Sequence, residues 1–314
     1  RYEAGQFTRL PNSYYSFRYG GIDFFALDSN TFNAPLPLPK TGEGEAYRQR
    51  LEKERDELEQ QKQQILAAST TLKPHDPEEA ERLDDMRTKV EHLEEAKLDI
   101  EKQLAADTTS IVDQEQLNWL KQRLLESWHS DAVRGRVIYF HHPPYVTEAT
   151  KWHQGQTLAI RHRLRQVLDA VATEIGVPKD SLAEAFRDRP LVDLVLNGHA
   201  HCLEYLRTLN TGHADSYLNW IVCGGSGFSL RRQRAEGSEL RESIGSVIND
   251  HDRLVARSLL YVGRTGSGTQ KRRPYSFLRI DVKEGKPPKF VIRPYVAERV
   301  QRQWKNYAIE PFML

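Results

Sequence analysis

Two continuous apolar runs that end in histidine constrain this chain more than any other feature. One is Val137-Ile138-Tyr139-Phe140, followed by His141-His142-Pro143-Pro144-Tyr145. The other is Leu191-Val192-Asp193-Leu194-Val195-Leu196, followed by Asn197-Gly198-His199-Ala200-His201. Runs of this kind mark strands buried on both faces of a parallel sheet. Ligands of such sheets sit just outside the carboxyl ends of the strands. Both histidine clusters therefore read as the rim of one metal site.

The neighbouring segments support a parallel sheet. Tyr14–Tyr19 and Ile22–Asp28, joined by Gly20-Gly21, read as a strand pair with a tight turn. Asp113 opens an amphipathic helix through Leu117, Leu120, Leu124 and Leu125, and a second helix is expected around Leu158–Ala172. Strands alternating with helices at this spacing argue for βαβ units and an α/β fold. Further strands are read at 217–223, 259–262, 275–282 and 289–295. Residues 230–258 are charged and poorly patterned, with room for a surface helix.

Composition shifts abruptly after the alternating prolines Pro35, Pro37 and Pro39, which read as a linker. From 45 to 106 aromatics almost vanish and Glu, Lys, Arg and Gln dominate. Leu51, Leu58 and Ile65 recur at sevens, while Leu83, Met86, Val90, Leu93, Ile100 and Leu104 alternate spacings of three and four. Asp76-Pro77-Glu78-Glu79 combines a cap residue, proline at the first helical position and acids in the first turn. The expectation is an antiparallel, largely coiled-coil helical hairpin over 45–106, turning at 69–75 and inserted into a domain made of 1–44 and 107–314. Its polar seam residues Glu54 and Gln61 imply modest stability or a further protein partner.

Charge excludes some partners. Lys+Arg 45 against Asp+Glu 44 leaves +1, so nothing draws the whole chain toward nucleic acid or anionic lipid. The local runs Arg231-Arg232-Gln233-Arg234 and Lys271-Arg272-Arg273 read as solvated surface before phosphate readers. No apolar stretch approaches the roughly 18 residues of a membrane span. Two cysteines, Cys202 and Cys223, fit a reducing compartment, and a cytoplasmic location is expected. The opening, Arg1-Tyr2-Glu3-Ala4-Gly5, has no signal-peptide character and reads as mid-domain.

In extended backbone, residues i and i+2 point the same way. His199 and His201 can thus aim two imidazoles into one space, with Gly198 permitting a sharp turn and His141 entering from the neighbouring strand end. Imidazole suits Zn, Fe, Mn and other first-row ions. His142 and His153, the latter in Lys151-Trp152-His153-Gln154-Gly155, are the candidates for acting on a bound substrate. A lone buried histidine needs no ligand to explain it, but two clusters at two strand ends favour a metal.

At these residues the chain resembles the calcineurin-like metallophosphoesterases, the superfamily that includes the purple acid phosphatases. Gly198-His199-Ala200-His201 is similar to that family's Gly-His-x-His motif, and Phe140-His141-His142-Pro143-Pro144-Tyr145 to its preceding histidine motif. Tyr15-Ser16-Phe17 with Phe24-Phe25-Ala26-Leu27-Asp28-Ser29-Asn30 resembles the strand after its Gly-Asn-His motif. Gln116-Leu117-Asn118-Trp119-Leu120 resembles its Gln-x-x-Trp-Leu helix, and Gly224-Gly225-Ser226-Gly227 its late glycine-rich turn. The resemblance spans most of 14–228 apart from the inserted stretch. It implies a four-layer αββα sandwich and a dinuclear site of two transition-metal ions (Mn, Fe or Zn). His141 and His199 would ligate the second ion and His201 the first.

The family's Asp-x-His, Gly-Asp and Gly-Asn-His motifs have no counterpart; Asn249-Asp250-His251-Asp252 and His75-Asp76 stand in the wrong order and context. Two divalent ions about 3.5–4 Å apart need anionic ligands to offset their repulsion, and imidazoles supply none. Residues 1–314 alone are thus expected to bind at most one ion weakly and to be inactive, as the C-terminal portion of a longer enzyme. Two functions follow. One is a metal-dependent phosphoric ester hydrolase in which metals and a bridging hydroxide attack a phosphorylated substrate while His142 or His153 stabilises charge or protonates the leaving oxygen. The other is an inactive scaffold on the same fold that works through its helical hairpin.

Overall fold

A computed structural model describes residues 13–109, 111–227, 229–244, 251–266, 270–300 and 303–314. The opening Arg1–Gly5 stretch and Asn249-Asp250 lie outside the described residues. The fold is mixed α/β, with a large sheet and five α-helices among the described residues.

Strand β1 (Tyr15–Tyr19) turns through Gly20 and Gly21, at φ 55° and 76°, into β2 (Ile22–Ala26). Two successive residues with positive φ suit glycine and match the twist of a tight antiparallel turn. Helices α1 (Gly42–Ser69), α2 (Pro77–Leu104) and α3 (Gln114–Trp128) follow, then β3 (Gly135–Phe140), α4 (Gly155–Glu174) and the short α5 (Leu182–Ala185). Next come β4 (Leu194–Asn197), β5 (Leu203–Thr208), β6 (Asn219–Cys223), β7 (Glu239–Ile244) and β8 (His251–Val262). The last strands are β9 (Tyr275–Lys283), β10 (Lys289–Val300), β11 (Gln303–Ala308) and β12 (Phe312–Met313).

Strands β1 to β8 form one sheet in the order β1-β2-β3-β4-β6-β5-β8-β7, and β2, β3, β4 and β6 are mutually parallel. The apolar runs serve two faces by simple alternation. Ile138, Val195 and Val222 pack with Leu117, Leu120, Leu124, Ile160, Leu164 and Leu168 of α3 and α4. Their neighbours Val137, Leu194 and Ile221 pack instead with Phe290, Ile292 and Val296 of the second sheet, β9 to β12. Burial on both faces explains why these strands carry no polar residues until their ends. Cys202 and Cys223 are both free thiols.

Among its described residues the charged stretch 230–258 forms no surface helix. Residues 239–244 and 251–257 pair as β7 and β8 at the edge of the large sheet. Leu240, Val255 and Ala256 are buried, whereas Glu239, Arg241 and Arg257 face outward and pair with one another. An edge strand with one charged face hides its period among the charges.

The stretch read as coiled coil holds α1 and α2, which begin at Thr41 and Asp76 caps: Thr41 Oγ1 accepts from Gly44 N, and Asp76 accepts from Glu78 N and Glu79 N. Lys62–Glu94 (2.7 Å) and Lys97–Glu59 (2.6 Å) link the helices in opposite directions. Leu51, Leu93 and Ile100 are buried; Leu58 and Ile65 are only half-buried. α2 lies along the body, held mainly by polar contacts. Asp84 and Asp85 meet Arg273, Arg264 and Lys271, Asp99 accepts from Gly155 N at 2.9 Å, and Gln103 donates to Leu36 O at 2.8 Å. Both basic runs are therefore largely answered from within the chain, Arg272 by Glu298 and Arg231 by Glu95. No helix among the described residues is long and apolar enough to cross a membrane.

One buried acid gives the fold a pH signature. Glu204 on β5 is fully buried, accepts from Thr147 N at 3.0 Å and from Thr147 Oγ1, and burial pushes its pKa from 4.5 up to about 7. The folded state therefore binds this proton more tightly than the unfolded chain. Its contribution is complete below pH 4.5 and is lost as pH rises through about 7. Glu204→Gln keeps an acceptor for Thr147 but cannot ionise. Its stability relative to wild type should rise by about 1–3 kcal/mol between pH 5 and pH 8, read by denaturant titration at both values; a constant difference would show that Glu204 titrates normally.

Candidate functional site

The parallel pairing of β3 with β4 puts Phe140 opposite Asn197, so both histidine motifs leave the sheet side by side. Two bonds fasten them: Gly198 N donates to His141 O at 2.9 Å, and Asn197 Nδ2 donates to Phe140 O at 3.1 Å. A Cβ at Gly198 would lie 3.4 Å from His141 Nδ1, an ordinary van der Waals contact, so the two motifs run side by side in close packing. His199 then takes φ 59°, a left-handed conformation that few side chains adopt. That turn swings its ring toward the β3 histidines.

Three imidazoles converge. His141, His142 and His199 each offer a ring nitrogen, all within 4.8 Å of one another. His141 Nε2 lies 3.2 Å from His199 Nδ1, and the rings of His142 and His199 are 4.4 Å apart. His142 is braced from a third strand end, where Ser29 Oγ, just past β2, lies 2.8 Å from its Nδ1 and accepts from its backbone N at 3.2 Å. Burial lowers all three pKa values, to about 4 for His142 and about 2 for His199, with neighbouring imidazoles and Lys151 adding to the effect on His199. The rings are thus neutral at pH 7, the form that binds metal.

His201 and His153 stand elsewhere. The ring of His201 lies outside the three-histidine group, its Nδ1 3.1 Å from Ser229 O. His153 lines a cavity of about 470 Å³ between the helix pair and the start of α4, with Tyr47, Arg50 and Asp99. His142, read as a residue acting on substrate, belongs geometrically with the candidate ligands.

Sequence reading missed two residues on His199. Lys151 Nζ lies 3.0 Å and Gln156 Nε2 3.2 Å from its Nε2. Lys151 is only 2% exposed, and burial lowers its pKa to about 8. Its ammonium pairs with Glu95, reaching in from α2. The available signal was position: Lys151 stands two residues before His153 in a segment already flagged, but its partner is remote in sequence.

The donor set fits a single first-row ion. It does not fit two, because the group contains no carboxylate among the described residues and a lysine ammonium stands against His199.

No family model matches this chain, and no curated protein does. Among solved structures the chain is similar to GAP50, the anchor in the inner membrane complex of Plasmodium, at 11% identity and a TM-score of 0.34. That match covers 97% of this chain and 55% of the other, so the chain spans about half its length.

Proposed function

We propose that this chain carries the imidazole ligands of a metal-dependent phosphoric ester hydrolase of the calcineurin-like type. On this reading the layered core belongs to an αββα sandwich with α1 and α2 as an inserted hairpin, and the carboxylates of a paired second ion come from polypeptide beyond the described residues. The observation that supports it is the convergence of His141, His142 and His199 at adjacent strand ends, neutral and within 4.8 Å. A metal there would supply Lewis-acid polarisation of a phosphoryl oxygen and an activated water for in-line attack. In this chain's own terms, His141 and His199 hold donor nitrogens in place, and Ser29 fixes the orientation of His142.

Lys151 on His199 favours a second reading, a binding protein on a retired hydrolase fold that works through the helix pair. Metal content and hydrolysis of bis(p-nitrophenyl) phosphate by protein purified without chelators from its natural source separate the two. The hydrolase reading expects close to two ions per chain and turnover lost on chelation. No retained ion after incubation with Mn, Fe and Zn would establish the scaffold.

A further inference from the structure

Two buried cations flank the histidine group, and a carboxylate from the inserted helix pair joins them. Lys151 and Arg231 have side chains only 2% and 7% exposed. Glu95 of α2 binds both at once, one oxygen to Lys151 Nζ and the other 2.8 Å from Arg231 Nη2. Each cation is anchored to a histidine motif: Lys151 Nζ lies 3.0 Å from His199 Nε2, and Arg231 N donates to His201 O at 3.0 Å. Arg231 also keeps a buried Nη1 with no partner among the described residues.

We infer that Lys151 and Arg231 form an oxyanion subsite for the phosphoryl group of the substrate, and that Glu95 of α2 fills it as an internal stand-in. The ligand class rests on the hydrolase reading; the subsite rests on geometry. Two cations whose donors converge on one carboxylate suit an anion that can accept several hydrogen bonds at once. A carboxylate offers two oxygens and leaves Arg231 Nη1 unanswered, whereas a phosphoryl group offers three. Glu95 is moreover 30% exposed, on a helix whose other clasps are largely ion pairs and single hydrogen bonds. In the pairs with Lys151, Arg231, Arg264 and Lys271 the carboxylate is part-exposed while its cation is largely buried, so the carboxylate leaves only when another anion takes its place against the buried charge. Glu95 is thus exchangeable for an incoming oxyanion, and α2 is an autoinhibitory cover that such an anion displaces from the subsite.

Calorimetric titration of the metal-free full chain with inorganic phosphate, at ionic strength matched with NaCl, tests this directly. Glu95→Gln should bind phosphate at least about tenfold more tightly than wild type, since it removes a charged competitor. Adding Arg231→Gln should cancel the gain. Equal affinity in wild type and Glu95→Gln overturns the inference, as does a gain that survives Arg231→Gln. Phenyl phosphate should bind within a few-fold of inorganic phosphate; binding of inorganic phosphate alone would remove the assignment to an ester substrate. Should Glu95→Gln not fold, hydrogen exchange of wild type decides: phosphate, unlike NaCl, should speed exchange in 77–104, and unchanged protection overturns the cover. Because no metal is present, failure of the hydrolase reading and failure of the subsite are separate results.

Discussion

On the proposed hydrolase reading, His199→Ala in the full-length protein is expected to lower metal retention and phosphoric ester hydrolysis by at least ~100-fold each, more than the loss of an outer-shell partner of a metal ligand usually costs. His199 is the hub of the group. Its ring lies against His141 and His142, and its Nε2 receives Lys151 and Gln156. Alanine at φ 59° carries a backbone cost comparable to that of histidine, so the substitution removes the ring without adding strain. Lys151 keeps Glu95 as a partner, which limits the structural damage. His201→Ala is the control: its ring is outside the group, so an ion should be retained. Metal content per chain and turnover, measured on both variants, check the assignment; unchanged turnover in His199→Ala would sink it.

Arg165→Leu should destabilise the fold by about 3–5 kcal/mol, because removing one partner strands buried charge. From α4, Arg165 reaches Asp215 at 2.9 Å, Glu242 at 2.9 Å and the hydroxyl of Tyr145 at 2.6 Å. Asp215 is only 2% exposed, and Tyr145 is fully buried against Trp220. Arg161 still answers Glu242, at 2.6 Å, but nothing comparable replaces the guanidinium at Asp215. Leucine fills part of the space and leaves that carboxylate without its charge partner. The expected drop in melting temperature is roughly 10 °C. A loss below about 1 kcal/mol would mean that water reaches the network. Tyr145 follows directly on His141-His142-Pro143-Pro144, so this cluster also braces the loop that carries two of the three imidazoles.

What could be read in advance was what a strand or a cap writes locally. Gly20-Gly21, the Asp76-Pro77 start and the apolar runs before His141 and Gly198 all appear where their residue types demand. Strand β5 was missed because Leu203–Thr208 carries Glu204 and Arg207 among its apolar residues, and a buried glutamate breaks the alternating pattern. Strand β7 and the first part of β8 were missed, while the end of β8 was read at 259–262, because the outward faces before it carry mostly charged residues. The site was legible to the extent that its ligands stood in short motifs. His142 was read as acting on substrate because sequence order cannot say that both adjacent rings gather with His199, nor that Ser29, 113 positions away, contacts His142 Nδ1. Lys151, Glu95 and Arg231 were illegible as a unit, since each is an ordinary charged residue until α2 folds down across the rim.

The clasp at the base of the helix pair carries a consequence for how this chain can change. Asp113 N donates to Thr31 O at 3.0 Å, and Gln116 Nε2 donates to Thr31 Oγ1 at 2.8 Å, so the polypeptide leaves the body and re-enters it at a single point. Closing a loop of any length across such a point costs only about 0.6 kcal/mol per doubling of its residues. The turn between α1 and α2 can thus be lengthened or shortened while the strands that carry the histidines keep their register, provided the α2 carboxylates that meet Lys151, Arg231, Arg264 and Lys271 are kept. If α2 covers the rim as proposed, control over access to it and construction of the rim itself are written in different stretches of the chain, α2 and the strand ends that carry the histidines.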